Sequence, residues 1–230
     1  MQEFMKFPST PHLAVLDGAS VRNDKVLSLS ERECFLAHNV TVEEKIDGAN
    51  LGISFDGEGR LQAQNRGNVL RPPMTGQWKT LPEWLARRSG DFWNVLSDRY
   101  ILFGEWCYAK HSVFYDQLPD WFVGFDVFDS EADRFVCKET RDDFLANLEL
   151  TVVPCVARGR LTFKEIIEHL GKSHYGEAPM EGLYLRYDEG DWLGQRAKLV
   201  RRDFMQSIEQ HWSRGMLEVN RLIAPKESHR

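Results

Sequence analysis

The sequence predicts an α+β domain whose sheets are antiparallel. Three observations lead to that class. Apolar runs with strand character outnumber helical ones. Two pairs of such runs are joined by short Asp- and Gly-containing turns, the mark of a hairpin. Few helical segments separate consecutive strands, whereas a doubly wound parallel sheet needs crossover helices throughout. With 230 residues, 42% hydrophobic and 12% aromatic, the chain can bury a real core, and it suits one large domain better than two.

The elements follow in order. "VEEKIDGANLG" (42–52) carries a β-branched and acidic strand into a glycine turn. "LGISFDGEGRLQAQNRG" alternates apolar and polar residues on both sides of Asp56-Gly57-Glu58-Gly59, which predicts the first hairpin. "PEWLARRSGDFWNVLS" (82–97) has helical periodicity, weakened by Gly90. "RYILFGEW" and "DWFVGFDVFD" read as buried strands. "TRDDFLANLEL" predicts a helix capped by Thr140, and "TVVPCVA" one short strand. "TFKEIIEHLGKS" predicts a helix with Thr162 as N-cap, Glu165 completing a capping box and Gly171 as its stop. "EGLYLRYDEGDWLGQRAKLV" forms a second hairpin about Asp188-Glu189-Gly190, and "DFMQSIEQHWSRGMLEVNRLI" (203–223) a last helix. No repeat, low-complexity tract or Gly/Ser linker interrupts the chain.

Several function classes recede on composition. No apolar run is long enough to span a bilayer. The opening "MQEFMKFPSTPHL" lacks the apolar middle of a secretory signal. Cys34, Cys107, Cys137 and Cys155 are far apart and form no CxxC, so they are expected to be reduced and mostly buried thiols of a cytoplasmic protein. The net charge of −6 argues against a nucleic-acid coat protein, yet "QRAKLVRRDF" (195–204) is locally basic.

Lys45 raises the question of chemistry. It stands in a Lys-any-Asp-Gly tetrad with Asp47 and Gly48. A lysine nucleophile must be neutral to attack, so it needs a depressed pKa. Asp47 could hold the lysine or bind a metal through water, and Gly48 lets backbone approach a phosphate. Read alone, the tetrad arises by chance in on the order of one chain in twenty of this size, and a solvated lysine before an Asp-Gly turn is ordinary. Further signals follow it: Arg66 in "QNRG", Glu105 in "LFGEWCYAKH", Phe125 and Asp126 in "FVGFDVFD", and Glu181 in "EGLYLR". In "RAKLV", Arg196 and Lys198 share one strand face because alternate residues do.

In this order the blocks resemble the collinear motifs of covalent nucleotidyltransferases, the polynucleotide ligases and mRNA-capping enzymes. The wording is most similar to small, single-domain ATP-dependent RNA ligases. "EKIDGANLGI" looks like their lysine motif, "GEWCYAKHSVFYDQLPDWFVGFDVFD" like their long central block, and "FPSTPHL" like their opening. The resemblance runs from about Phe7 to Phe204. It implies a nucleotidyltransferase (ATP-grasp-like) domain of antiparallel sheets flanked by helices over residues 1–203. A C-terminal helix and tail at 204–230 would follow, with no OB domain.

The resemblance also implies roles. Lys45 would attack the α-phosphate of ATP and become lysyl-AMP. Asp47 would position the lysine or a metal's water shell, and Glu44 would lie with the nucleotide. Asn50 would act near the 5′-phosphate during sealing. Arg66 would contact the ribose or the end to be joined, and Glu105 would accept from the ribose. Phe125 would stack on adenine, although a strand Phe is more often plain core. Glu181 would bind Mg²⁺ or Mn²⁺, while Arg196 and Lys198 would neutralise the phosphates. Many members carry two lysines in the last motif. Arg196 keeps the charge there but cannot easily lose a proton, so Lys198 is the better general-acid candidate.

The implied substrates are RNA ends, with an end-healing kinase/phosphatase as a sensible partner and no membrane. A capping-type guanylyltransferase, a DNA nick ligase and an inactive RNA-end-binding module remain alternatives. Asn50 favours the RNA ligase over the capping enzyme. His12 and His111 lie in family-like blocks without a derivable role.

Overall fold

The computed structural model describes residues 4–16, 25–201 and 217–224. Two sheets face each other. The first has the order β10 (Trp192–Val200), β9 (Gly182–Glu189), β1 (Val40–Lys45), β8 (Cys155–Gly159), all antiparallel. The second has the order β3 (Leu61–Gln64), β2 (Ala49–Phe55), β4 (Tyr100–Trp106), β5 (Phe122–Asp129), β6 (Arg134–Phe135), again antiparallel. Only β7 (Thr151–Val152) pairs in parallel, on β5. The α+β class and both hairpins stand as expected, with Gly59 and Gly190 supplying the positive φ their turns need.

Strict alternation divides the first sheet. Val40, Val42, Leu183, Leu185, Ala197 and Leu199 turn outward and pack with Phe35 of α1 (Leu29–Leu36) and Ile166 of α5 (Phe163–Glu168). The residues between them, Glu43, Lys45, Tyr184, Arg186, Arg196 and Lys198, therefore face the second sheet. That second sheet has its own outer core, where Leu51, Ile53 and Leu102 meet Trp84 and Leu85 of α2 (Leu81–Ala86), Phe92 and Leu96 of α3 (Ser89–Leu96), and Leu145 of α4 (Lys138–Asn147). Between the sheets Ile46, Phe103, Val123, Phe125 and Phe128 form a third cluster with Phe7 from the N-terminal segment.

A β-bulge makes the interface charged. Phe103 pairs with Asp126 and Gly104 with Gly124, so Phe125 has no partner on β4. The extra residue shifts the alternation and places both Phe125 and Asp126 on the inner side. Asp126 is fully buried and accepts from Arg186 Nη1 (2.8 Å), Arg196 Nη1 (2.9 Å) and Tyr184 Oη (2.8 Å) of the facing sheet. A second tie runs the other way. Arg141 of α4 donates to both Glu43 carboxylate oxygens (2.6 and 3.0 Å) and to the carbonyl of Phe125 (2.8 Å).

Local details depart from expectation for physical reasons. The 82–97 helix breaks at Arg87–Arg88, where Arg88 leaves helical geometry, while Gly90 sits inside α3. Thr140 is not a cap: α4 starts at Lys138 with Cys137 in the cap position, and Thr140 lies in the first turn. "TVVPCVA" is two strands, because Pro154 has no N–H with which to continue a ladder. β7 belongs to the second sheet and β8 to the first. The Thr162–Glu165 capping box forms as expected, but α5 ends at Glu168, before Gly171. Of the cysteines, Cys107 and Cys137 are buried but Cys34 and Cys155 are exposed. The expected last helix falls largely on 202–216, outside the described residues. Its end, 217–224, is not helical and bridges Ala109 and Leu118 through Val219 and Leu222. No described helix is long and apolar enough to cross a membrane.

Removing one member of a buried charge network leaves the others uncompensated. Asp126→Ala, which orphans Arg186, Arg196 and Tyr184 together, is expected to destabilise the fold by about 3–5 kcal/mol. A shift of the urea midpoint corresponding to less than about 1 kcal/mol, the range of an ordinary surface ion pair, would show that the sheets do not depend on it.

Candidate nucleotide site

Lys45 is the last residue of β1 and faces the gap between the sheets. Gly182 opposite it lets β9 and β10 close up, since a Cβ there would lie 2.2 Å from the Leu199 carbonyl oxygen. After Lys45 the chain turns at Asp47-Gly48 into β2. Gly48 is needed for packing against β4, because a Cβ would fall 3.0 Å from Glu105 Cβ and from the Trp106 carbonyl oxygen.

The lysine opens into a cavity between the sheets. One side is apolar: Phe7, Ile46, Phe125 and Val153. The rim is polar: Thr10, Asn50, Arg66, Glu105 and Lys198, with Glu44 and Tyr184 completing the lining. Val153 is there because the chain crosses between the sheets at that point. Phe7 and Thr10 are there because the N-terminal segment runs beside β10, where His12 bridges Lys198 in parallel. Asn50 and Glu105 are register partners on β2 and β4. Asn50 Oδ1 and Glu105 Oε2 are both buried and lack a hydrogen-bond partner among the described residues, a costly arrangement for a purely structural pocket.

Lys45 Nζ donates to Glu181 Oε2 at 2.7 Å. Burial alone would lower the lysine pKa, but the charges of Glu181, Glu105 and Asp47 outweigh it and hold the ammonium above the ordinary lysine range. The expected depression is thus reversed in this arrangement. Glu181 is pushed up to about 7 by burial, with Lys45 opposing the rise. Burial likewise raises the Glu105 carboxyl well above its usual value, against the pull of Lys45.

The structure brings Lys45, Asn50, Arg66, Glu105, Phe125 and Lys198 to one cavity, with Glu181 reaching it through Lys45. Three expected site residues are engaged otherwise. Asp47 is buried, and its Oδ2 accepts from the backbone of Ser112 (2.6 Å) and Val113 (2.8 Å). Both carboxylate oxygens of Glu44 serve the 173–174 loop, taking Ser173 Oγ (2.5 Å), His174 N (2.9 Å) and His174 Nδ1 (2.8 Å). Arg196 lies outside the cavity lining. Its guanidinium binds Asp126 and stacks on Phe7 (4.5 Å) and Phe135 (4.2 Å), so it braces the apolar wall from behind. Arg66 is exposed, with Nη2 3.4 Å from Ser9 Oγ. His111 Nε2 is 2.9 Å from Gln77 Oε1.

Sequence reasoning missed Phe7, Thr10, Ile46, Val153 and Tyr184. Only strand alternation from Arg196 and Lys198 across the hairpin could have pointed to Tyr184.

The site is thus a lysine among carboxylates, at a largely apolar cavity between two antiparallel sheets. The RNA ligase family model matches residues 38–200, and the chain belongs to that family. Solved structures of the Naegleria gruberi RNA ligase are similar in fold. One containing ATP and manganese aligns with a TM-score of 0.62 at 16% identity, covering 87% of this chain and 63% of that one. One containing pyrophosphate gives 0.60 at 16% identity, covering 90% and 64%. The chain therefore spans less than two thirds of those ligase chains. No curated protein gives a significant match.

Because Glu181 raises the lysine pKa, Glu181→Gln is expected to let Lys45 lose its proton at lower pH. The pH dependence of Lys45 acylation by an amine-selective reagent, read by mass spectrometry, measures this; an unmoved or upward-shifted midpoint contradicts it.

Proposed function

We propose that the protein is an ATP-dependent RNA ligase, acting in the cytoplasm, that joins 5′-phosphate and 3′-hydroxyl ends through lysyl-AMP. One observation carries the reading: Lys45 opens on a cavity that combines an apolar slot, two buried unpartnered oxygens and the cationic side chains Arg66 and Lys198. Each part suits a piece of ATP. A base fits against Phe125, Phe7 and Val153. Ribose hydroxyls are donors for Glu105 Oε2. Lys198 and Arg66 suit phosphate oxygens.

In the first step neutral Lys45 attacks the α-phosphorus. An N–P bond forms, the P–O bond to pyrophosphate breaks, and the amine loses its proton. An oxygen of the RNA 5′-phosphate then attacks the lysyl-AMP phosphorus, and the lysine leaves as an amine that takes up a proton. Finally the 3′-hydroxyl attacks the adenylylated 5′-phosphorus, AMP departs, and the phosphodiester is closed. In this reading Lys198 meets the charge that develops on the phosphates, and Asn50 Oδ1 accepts from a group near the end being sealed.

The Glu181 carboxylate fits a magnesium or manganese ion, which needs few protein ligands beside phosphate oxygens and water. Among the described residues no three His, Cys, Asp or Glu form a ready-made metal cluster. Asp47, with one oxygen spent on two backbone donors, serves better as an anchor for the turn. When bound, such a metal supplies charge neutralisation at the phosphates. Once Glu181 turns away from Lys45, the ammonium loses its closest counter-charge and the neutral amine becomes more accessible. The substrates would come from enzymes that leave 5′-phosphate and 3′-hydroxyl ends, such as an end-healing kinase/phosphatase.

Incubation with α-labelled ATP and Mg²⁺ should give an acid-labile label on the protein that is absent in Lys45→Ala; an unlabelled wild type sinks the reading. Labelled GTP in place of ATP would identify a guanylyltransferase. Nicked duplexes with DNA or RNA at the 3′-hydroxyl separate the two ligase classes. Lys198→Ala should slow label transfer by about a hundredfold or more, the scale for losing a charge-stabilising donor. Arg196→Ala should act chiefly on stability, seen in the melting temperature. Equal loss of transfer at matched folding would return Arg196 to the phosphates.

A further inference from the structure

We infer that Asn220, on the C-terminal segment, is a positioning residue for the Lys45 turn, acting through the 107–115 loop and Asp47. The inference rests on the ligase reading for its consequence in activity, but its structural step does not. Asn220 is 2% exposed. Its Nδ2 donates to the carbonyls of Cys107 (2.8 Å) and Ala109 (3.2 Å), and its Oδ1 accepts from the Tyr115 backbone N–H (2.9 Å). All the hydrogen bonds of one amide are thus spent on the two ends of a single loop, from more than a hundred residues away in sequence.

That loop is what holds the turn after the lysine. Ser112 N and Val113 N donate to Asp47 Oδ2, and Tyr115 Oη accepts from Asp47 N at 2.8 Å. The loop is also held by Cys107 N donating to the Trp121 carbonyl (2.7 Å), by Lys110 N donating to the Glu218 carbonyl (2.9 Å) and by His111 Nε2 near Gln77 Oε1 (2.9 Å), but among the described side chains of the C-terminal segment only the Asn220 amide joins its two ends. Asn220 N donates to the Tyr108 carbonyl (3.1 Å) and Arg221 N to the Tyr115 carbonyl (2.8 Å), so backbone pairing with the same segment continues what the amide begins. The path from Asn220 to Lys45 is therefore contiguous: amide, loop ends, loop amides, Asp47, lysine. A side chain with one donor pair and one acceptor can close both loop ends at once; aliphatic replacements leave three buried backbone groups unpaired. None of these hydrogen bonds involves Phe7, Phe125 or Val153, which meet Cys107, Val113 and Tyr115 only through apolar packing.

The test is a double-mutant cycle on ATP-dependent labelling, with amide exchange beside it. Asn220→Ala should lower the maximal labelling rate about tenfold or more, the scale for misplacing a reacting group, with the ATP concentration at half-maximal rate changed less than about twofold. In an Asp47→Ala background the same substitution should have almost no further effect, because the two act in series. Glu218→Ala, which removes only an exposed pair with Lys110 on the same segment, should leave labelling unchanged. Independently of ATP, Asn220→Ala should speed amide exchange at Ser112 and Val113. Asn220→Asp keeps the acceptor and loses both donors, and replaces the alanine variant in every arm if that one melts below assay temperature. Multiplying effects in the cycle, a wild-type labelling rate in the Asn220 variant, or unchanged exchange at Ser112 and Val113 would each overturn the inference. A wild type that takes no label would overturn the ligase reading alone, leaving the exchange arm to decide on Asn220.

Discussion

The structure depends on charge buried between two sheets. Asp126 is inaccessible to solvent and ties β5 to Arg186 and Arg196 on the facing strands, while Glu43 and Arg141 tie the sheets in the opposite sense. Buried ion pairs of this sort add little net stability, because desolvation consumes most of their attraction. Their effect is geometric. An apolar sandwich of the same strands could slide, whereas a carboxylate that must meet two guanidinium groups and a phenol has one register. The lysine cavity lies beside this network, so its walls inherit that register.

The same polar inner face explains how one strand supplies both structure and chemistry. On β1, Glu43 makes the buried tie to Arg141, and Lys45, one period further on, reaches the cavity. On β10, Arg196 is structural and Lys198 lines the cavity. Along each strand the charged positions run from the closed part of the interface to its open end. Which charge is buried between the sheets and which lines the cavity is decided by position along the strand, not by residue type.

The carboxylates around Lys45 set its resting condition. Glu181, Glu105 and Asp47 keep the ammonium charged despite burial, so the lysine rests in a form that cannot attack. In the ligase reading, activation is then a matter of redirecting Glu181, which suits a site that should not modify itself without its substrates. Asp47 contributes twice, as a charge near the lysine and as the anchor of a distant loop.

Strand periodicity, hairpin turns and the Thr162–Glu165 box were legible in the sequence because they are local, fixed by residues within a few positions of one another. The Lys-any-Asp-Gly tetrad was legible too, and so were the cavity residues Asn50, Glu105, Phe125 and Lys198, through the order of their motifs. The engagement of Arg196, Asp47 and Glu44 was not. Each takes its partner from a distant part of the chain, Asp126 for one, the 112–113 backbone for another and the 173–174 loop for the third. The split of "TVVPCVA" between two sheets and the bulge at Phe125 depend on which strands become neighbours, which no local pattern specifies. By itself the sequence determined the strand pattern and the family to which the lysine belongs. The tertiary structure alone decided which charges are spent holding the sheets together and which line the cavity, because pairing a buried charge requires partners far apart in the chain to meet.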